Sequence, residues 1–175
     1  KDLTKTFEYG DADGLRAALK EHKNEVAAII MEPVIGQKPI CSSSDNNCGR
    51  SFEAGCSKCP QSVFLKSVKE IAREEGALLI FDEMISGFRF ALGGAGEYFG
   101  VSPDLATFGK GVTNGMPLGI LAGKAEHMQQ FDKVFLSSTY APETLTLAAA
   151  SANIDFYRAN DVIKSIWEKG EYVNK

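Results

Sequence analysis

The chain has 175 residues, 44% of them hydrophobic and 24% charged, and a formal net charge of −4 at pH 7. That balance suits one globular domain with a real core, and it excludes a disordered chain and a coiled coil. The mild acidity and the lack of a basic run argue against nucleic-acid binding, and no apolar stretch is long enough to span a bilayer.

Both ends read as cut. The chain opens KDLTKTFEYG, with neither an initiator Met nor an apolar signal-peptide core, and closes WEKGEYVNK inside a helical pattern. It is therefore expected to be a fragment of a longer protein.

Residues 13–23 read as a short helix, with Leu15, Ala18 and Leu19 at helical spacing and Asp11 or Asp13 available as a cap. Residues 26–31 (VAAIIM) form a continuous apolar run of strand length, the pattern of a strand buried on both faces of a parallel sheet; Pro33 ends it. Residues 38–60 are polar and rich in Gly, Ser and Asn, and this long loop holds all four cysteines.

Residues 63–75 return to helix, with Phe64, Val68, Ile71 and Ala72 on one face and Gly76 as a stop. Residues 77–81 (ALLIF) are a second buried strand ending at Asp82-Glu83. Strand, helix, strand in this order predicts a right-handed βαβ unit. A glycine-rich stretch runs to Gly100. Short strands are expected at 104–108 and 118–122, with a weak one at 134–136, and residues 143–157 read as an Ala-rich helix preceded by Ser137-Ser138-Thr139. The alternation predicts an α/β domain, a mostly parallel sheet flanked by helices.

In open α/β sheets, ligands bind beyond the carboxyl ends of the strands. Asp82, Lys110 and Thr139 fall at such positions. Asp82 follows four apolar residues, so its carboxylate calls for a partner: a protonated ring nitrogen or a metal on one reading, a turn cap or a bridge to Arg89 on the other. Lys110 stands between two glycines. It is a nucleophilic amine if desolvated and an ordinary turn lysine if not. Thr139 either donates to a phosphate at the following helix N-terminus or simply caps that helix.

Other chemistries lack their motifs. A P-loop would need Gly where Asp104 stands and Ser or Thr where Gly111 stands, and GGAGEY (93–98) breaks GxGxxG at Tyr98. There is no HExxH, only His22 and His127, and no GxSxG. Cys41, Cys48, Cys56 and Cys59 contain one CxxC. Four thiolates on a structural zinc would pin the loop, against the alternatives of a disulfide or no shared role.

LLIFDEMISGFR (78–89), followed by GGAGEYFGVSPDLATFGKGVTNGMPLGILAGK (93–124), resembles the class III aminotransferases. These are fold-type I pyridoxal-phosphate (PLP) enzymes, and the nearest group is that around glutamate-1-semialdehyde aminomutase. MEPVIG (31–36) and SSTYAPETLTLAAA (137–150) follow the same order, so the resemblance covers most of residues 26–157. It implies that residues 1–175 are the central part of the large cofactor-binding domain, incomplete at both ends, with 38–60 a cysteine-containing insertion. It implies that Lys110 forms a Schiff base with PLP and shuttles a proton, that Asp82 holds the pyridine nitrogen protonated, and that Met84 packs on the ring. It further implies that Thr139 reaches the cofactor phosphate of a neighbouring subunit, and that Glu32 lies near the active site. The expected protein is a cytoplasmic homodimer with shared sites, acting on a small-molecule amino donor and a carbonyl acceptor. Its expected activity is aminotransfer to a keto acid or aldehyde. The alternatives are the intramolecular aminomutase and a non-catalytic scaffold with a metal-pinned loop. STYAPETL stands where the aminomutases carry a GTxSGNP-like run, which favours the aminotransferase.

Overall fold

The computed structural model describes residues 3–35, 59–135 and 143–173. Helix α1 (Ala12–Glu21) starts where the Asp11 carboxylate accepts the Gly14 N–H at 2.8 Å, and it buries Leu15 and Leu19. Strand β1 (Ala28–Met31) follows. Helix α2 (Pro60–Glu74) begins three residues before the expected Val63. The reason is local: Pro60 is preorganised for the first turn, and the Cys59 sulfur accepts the Ser62 N–H. Phe64, Leu65, Val68, Ile71 and Ala72 form its buried stripe.

Strand β2 (Leu78–Asp82), helix α3 (Gly94–Phe99), strand β3 (Leu105–Phe108), a 3-10 turn (Lys110–Val112) and strand β4 (Ile120–Gly123) come next. Helix α4 (Ala125–Met128), a 3-10 turn (Gln129–Lys133), helix α5 (Thr144–Ala159) and helix α6 (Val162–Val173) complete the described residues. The four strands form one sheet in the order β1-β2-β3-β4, with β1, β2 and β3 parallel and β4 antiparallel to β3. The expected α/β class and mostly parallel sheet are present.

Ile29, Met31, Leu79, Phe81 and Ala106 share one face of the sheet and join the main core with residues of α1, α2 and α3. A second cluster gathers Phe88, Val112, Ala150 and Tyr157, linking the segment after β2 to α5. Burial on both faces, expected for β1, fails at Ile30, which is 63% exposed because no described element covers that face. The weak strand expected at 134–136 is absent from the described residues: Val134 and Phe135 are exposed and pair with no strand, and Leu136 lies outside them.

Cys41, Cys48 and Cys56 lie outside the described residues, as does most of the 38–60 loop. Cys59 is buried as the α2 cap. Among the described residues no group of His, Cys, Asp or Glu is arranged to hold a metal ion, so the zinc expectation gains no support. No helix among the described residues is long and apolar enough to cross a membrane.

Candidate functional site

Parallel pairing puts the carboxyl ends of β1, β2 and β3 on one edge. Met31 pairs with Phe81, and Asp82 with Thr107. Glu32, Asp82 and the Gly109-Lys110 step therefore follow one another along that edge. Ile120 lies opposite Phe108 in the antiparallel pair, which brings the start of β4 to the same edge.

Asp82 is half-buried. Its Oδ1 accepts the Met84 N–H at 3.0 Å and the Thr107 hydroxyl at 3.2 Å. These two bonds fix the carboxylate plane and leave Oδ2 without a partner among the described residues. The turn-capping reading of Asp82 is thus real, and it uses only one of the two oxygens. The bridge to Arg89 does not form; Arg89 donates instead to the Tyr157 hydroxyl at 3.1 Å and to the Phe88 carbonyl at 3.3 Å.

Lys110 is exposed, so the described residues do not supply the desolvation that a nucleophilic amine calls for, and it has φ 41°, in the left-handed region that a side chain disfavours. Gly109 before it has φ −167°, ordinary extended backbone. Gly109 leaves room for a neighbour: a Cβ there would overlap the end of the Met84 side chain unless that flexible tip moved. So Met84 lies against the backbone immediately before Lys110. The Lys110 carbonyl accepts the Asn114 N–H at 3.0 Å, which closes the turn. Among the described residues the Lys110 ammonium has no anionic partner.

Glu32 is half-buried at the end of β1. The turn that carries it is pinned through Pro33, whose carbonyl accepts both the Tyr9 hydroxyl and the Gln61 amide at 2.7 Å. Burial pushes the Tyr9 phenol up to about 12; the Gln61 hydrogen bond pulls the other way, and the charge of Glu32 adds to the rise. Thr139 lies outside the described residues. The cap of α5 is not the 137–139 cluster but Glu143, whose carboxylate accepts the Leu145 and Thr146 N–H groups at 2.8 and 2.6 Å.

Glu83 escaped the sequence reading. It is only 1% exposed and is held by the Ser86 hydroxyl and by the Ala95 and Gly96 N–H groups at 2.9 and 2.7 Å. Burial pushes its carboxyl above the ordinary value; the three donors pull it back, and the neighbouring Asp82 charge pushes it up further. The Asp82-Glu83 pair thus divides its tasks. Glu83 points into the core and anchors α3, while one Asp82 oxygen at the sheet edge has no partner among the described residues.

An acceptor oxygen, an exposed amine on the turn that follows the neighbouring strand and a thioether against Gly109 fit the PLP expected from the resemblance. The carboxylate suits a protonated ring nitrogen, and the amine suits the aldehyde.

A family model described as aminotransferase class-III matches residues 9–175. The 3-aminobutyryl-CoA aminotransferase of Cloacimonas acidaminovorans is 39% identical over 165 residues, covering 94% of this chain and 36% of that protein. The glutamate-1-semialdehyde 2,1-aminomutase of Methanosphaera stadtmanae is 37% identical over 172 residues, covering 97% of this chain and 36% of that protein. Among solved structures, the ornithine aminotransferase of Toxoplasma gondii, recorded with partial occupancy of PLP at its active site, superposes with a TM-score of 0.71 at 26% identity, over 91% of this chain and 33% of that one. The chain spans about a third of the length of these relatives.

Proposed function

The chain belongs to the class-III aminotransferase family, and we propose that it carries the PLP-holding centre of an enzyme that moves an amino group between an amino compound and a keto acid or aldehyde. Bound PLP supplies the electron sink for negative charge that develops at the substrate Cα. Lys110 Nζ would hold the cofactor through its aldehyde carbon, and once the substrate amine has replaced it there the freed amine would take the proton from the substrate Cα and return it. Asp82 Oδ2 would keep a proton on the cofactor ring nitrogen. Met84 would pack on the ring, from the space beside Gly109, and Glu32 lines the same edge. On the same reading Thr139 would reach the cofactor phosphate of a second subunit in a homodimer with shared sites, and the enzyme would be cytoplasmic.

The observation that carries this reading is the joint position of Asp82 and Lys110 beyond the ends of adjacent parallel strands, with one Asp82 oxygen unused among the described residues and Lys110 at a φ of 41°. The strain is the kind that persists where a side chain is held for a task. The intramolecular aminomutase is the second reading, favoured by the relative of that name at 37% identity.

The test is to add PLP to the full-length protein, reduce with borohydride and map the pyridoxyl group by peptide mass spectrometry. Modification confined to Lys110 is expected. No adduct, or adducts spread over surface lysines, would reject the reading. Release of a free keto acid in a half-reaction then separates aminotransferase from aminomutase, which keeps its intermediate bound.

A further inference from the structure

Lys110 is the one lysine at positive φ among the described residues, and the turn it begins has little regular structure to hold it. The 3-10 turn Lys110–Val112 leaves the Gly111 and Val112 carbonyls without a helical continuation. Both are taken by one side chain. Asn153, half-buried in the middle of α5, donates from Nδ2 to the Gly111 carbonyl at 3.0 Å and to the Val112 carbonyl at 2.9 Å. Its Oδ1 accepts the Asn114 side-chain amide at 3.0 Å. Asn114 is itself at positive φ, 48°, and its own N–H returns to the Lys110 carbonyl. The hydrogen-bonded circuit therefore runs from α5 through the two carbonyls after Lys110 and back, through Asn114, to Lys110 itself.

The chemistry of the circuit selects asparagine. It needs two N–H donors and one acceptor on a short stem. Aspartate has the shape and no donor; serine is too short to reach two carbonyls and an amide. The Arg89 guanidinium also lies beside Gly111, where a Cβ would stand 3.1 Å from it, and it donates to the Tyr157 hydroxyl one turn beyond Asn153 on α5.

We propose that Asn153 is a positioning residue for Lys110, holding the lysine in its left-handed conformation through the Gly111 and Val112 carbonyls, so that Nζ addresses the site at the sheet edge. This rests on the reading of Lys110 as the residue that holds PLP. A misplaced reacting group costs up to about 100-fold in rate.

The experiment uses the full-length protein with Asn153→Asp, Asn153→Ala and, as a control on the exposed side of α5, Ser151→Ala. The first readout is amide exchange without PLP. Both Asn153 variants are expected to speed exchange in residues 109–114 while residues 64–72 of α2 keep the wild-type rate. The second is the pH titration of the visible absorption of bound PLP, together with the rate of borohydride-trapped adduct at Lys110. A shifted titration midpoint and an adduct rate lower by about 10- to 100-fold are expected, with Ser151→Ala unchanged. Faster exchange throughout the protein, with no preference for 109–114, overturns the proposal. So does a wild-type titration and adduct rate in both variants while the wild-type protein is labelled at Lys110. If the wild-type protein itself takes no pyridoxyl group at Lys110, the functional reading falls and the positioning role falls with it.

Discussion

The Glu83 Oε1 accepts the Gly96 N–H at 2.7 Å, so a carboxylate just past the end of β2 caps the first turn of a helix that begins eleven residues later in the chain. Helix α3 contains Gly94 and Gly96, two poor helix formers, and its own cap position Gly93 offers no side chain. The missing cap is supplied from the core.

Glu83→Ala is expected to destabilise the protein severely, because the Ala95 and Gly96 N–H groups would be left buried without acceptors, at about 1–3 kcal/mol each. Glu83→Gln keeps the volume and loses one acceptor, so it costs about 1–3 kcal/mol. The pH dependence has a definite sign. The folded-state value lies above the ordinary 4.5, so the folded protein binds the proton more tightly than the unfolded chain. The Glu83 contribution to stability therefore falls as pH rises from about 4.5 through the folded-state value. Urea melts from pH 4 to 7 should show this component in the wild type and lose it in Glu83→Gln.

Much of this region was legible in the sequence, and Glu83 shows where legibility stops. The face of α2 is written in the spacing of Phe64, Val68, Ile71 and Ala72, and Asp82 and Lys110 stand where strand-end chemistry is expected. Each of these signals is local. Helix α3 has no local signal because its glycines read as loop, and the carboxylate that compensates lies outside any helical window. In the sequence Asn153 is one polar residue in an Ala-rich helix; only the packing of α5 on the Lys110 turn gives it partners. The left-handed φ fell on Lys110 rather than on the glycines beside it, which composition does not foretell.

Asp104 and Lys124 tie the far end of the sheet, away from the site. The Lys124 ammonium donates to Asp104 Oδ1 at 2.6 Å, and Oδ2 accepts the Leu79 N–H at 2.8 Å. Burial pushes the Asp104 carboxyl up, but Lys124 and the Leu79 N–H outweigh it and hold the group below its ordinary 3.8. A depressed folded-state value means stability present above about pH 3.8 and lost as pH falls through the folded value. Asp104→Ala is expected to cost about 1–3 kcal/mol at neutral pH through the orphaned Leu79 N–H. Lys124→Met should cost less and flatten the acid limb. Denaturant melts between pH 2.5 and 6 check both; an unaltered acid limb in Asp104→Ala would contradict the assignment.

The two strand-end residues should fail in different ways. Lys110→Ala removes the nucleophile, so borohydride should trap no adduct at any single lysine while the protein keeps its fold. Asp82→Asn keeps a hydrogen-bond acceptor for Met84 and Thr107 but loses the negative charge at Oδ2. It should still form the Lys110 adduct and slow proton removal from the substrate by about 10²- to 10³-fold, the scale of removing one preorganised electrostatic partner. Single-turnover kinetics, compared with adduct yield, separates the two.

Gly87 and Gly109 make opposite predictions from similar crowding. A Cβ at either would meet atoms within 3 Å, but the atoms differ. At Gly87 the obstacles are the Glu83 backbone carbonyl and the Phe108 ring, which belong to the turn and the sheet and cannot move independently. At Gly109 the near obstacle is the tip of Met84, a flexible thioether that can change rotamer. Gly87→Ala should therefore cost about 1–3 kcal/mol or more, the range for overpacking a fixed site. Gly109→Ala should cost about 1 kcal/mol, less than Gly87→Ala, because its extended backbone suits alanine, the overlapping atoms belong to the Met84 tip, and the Leu118 carbonyl at 3.3 Å has to give only slightly. What Gly109→Ala disturbs is the face that Met84 presents at the site, so its effect belongs in the visible spectrum of bound PLP rather than in the melting temperature. The double variant Gly109→Ala with Met84→Ala relieves the overlap, and its stability should exceed the sum of the single changes. Equal melting losses for Gly87→Ala and Gly109→Ala would show that Met84 is held as rigidly as the backbone.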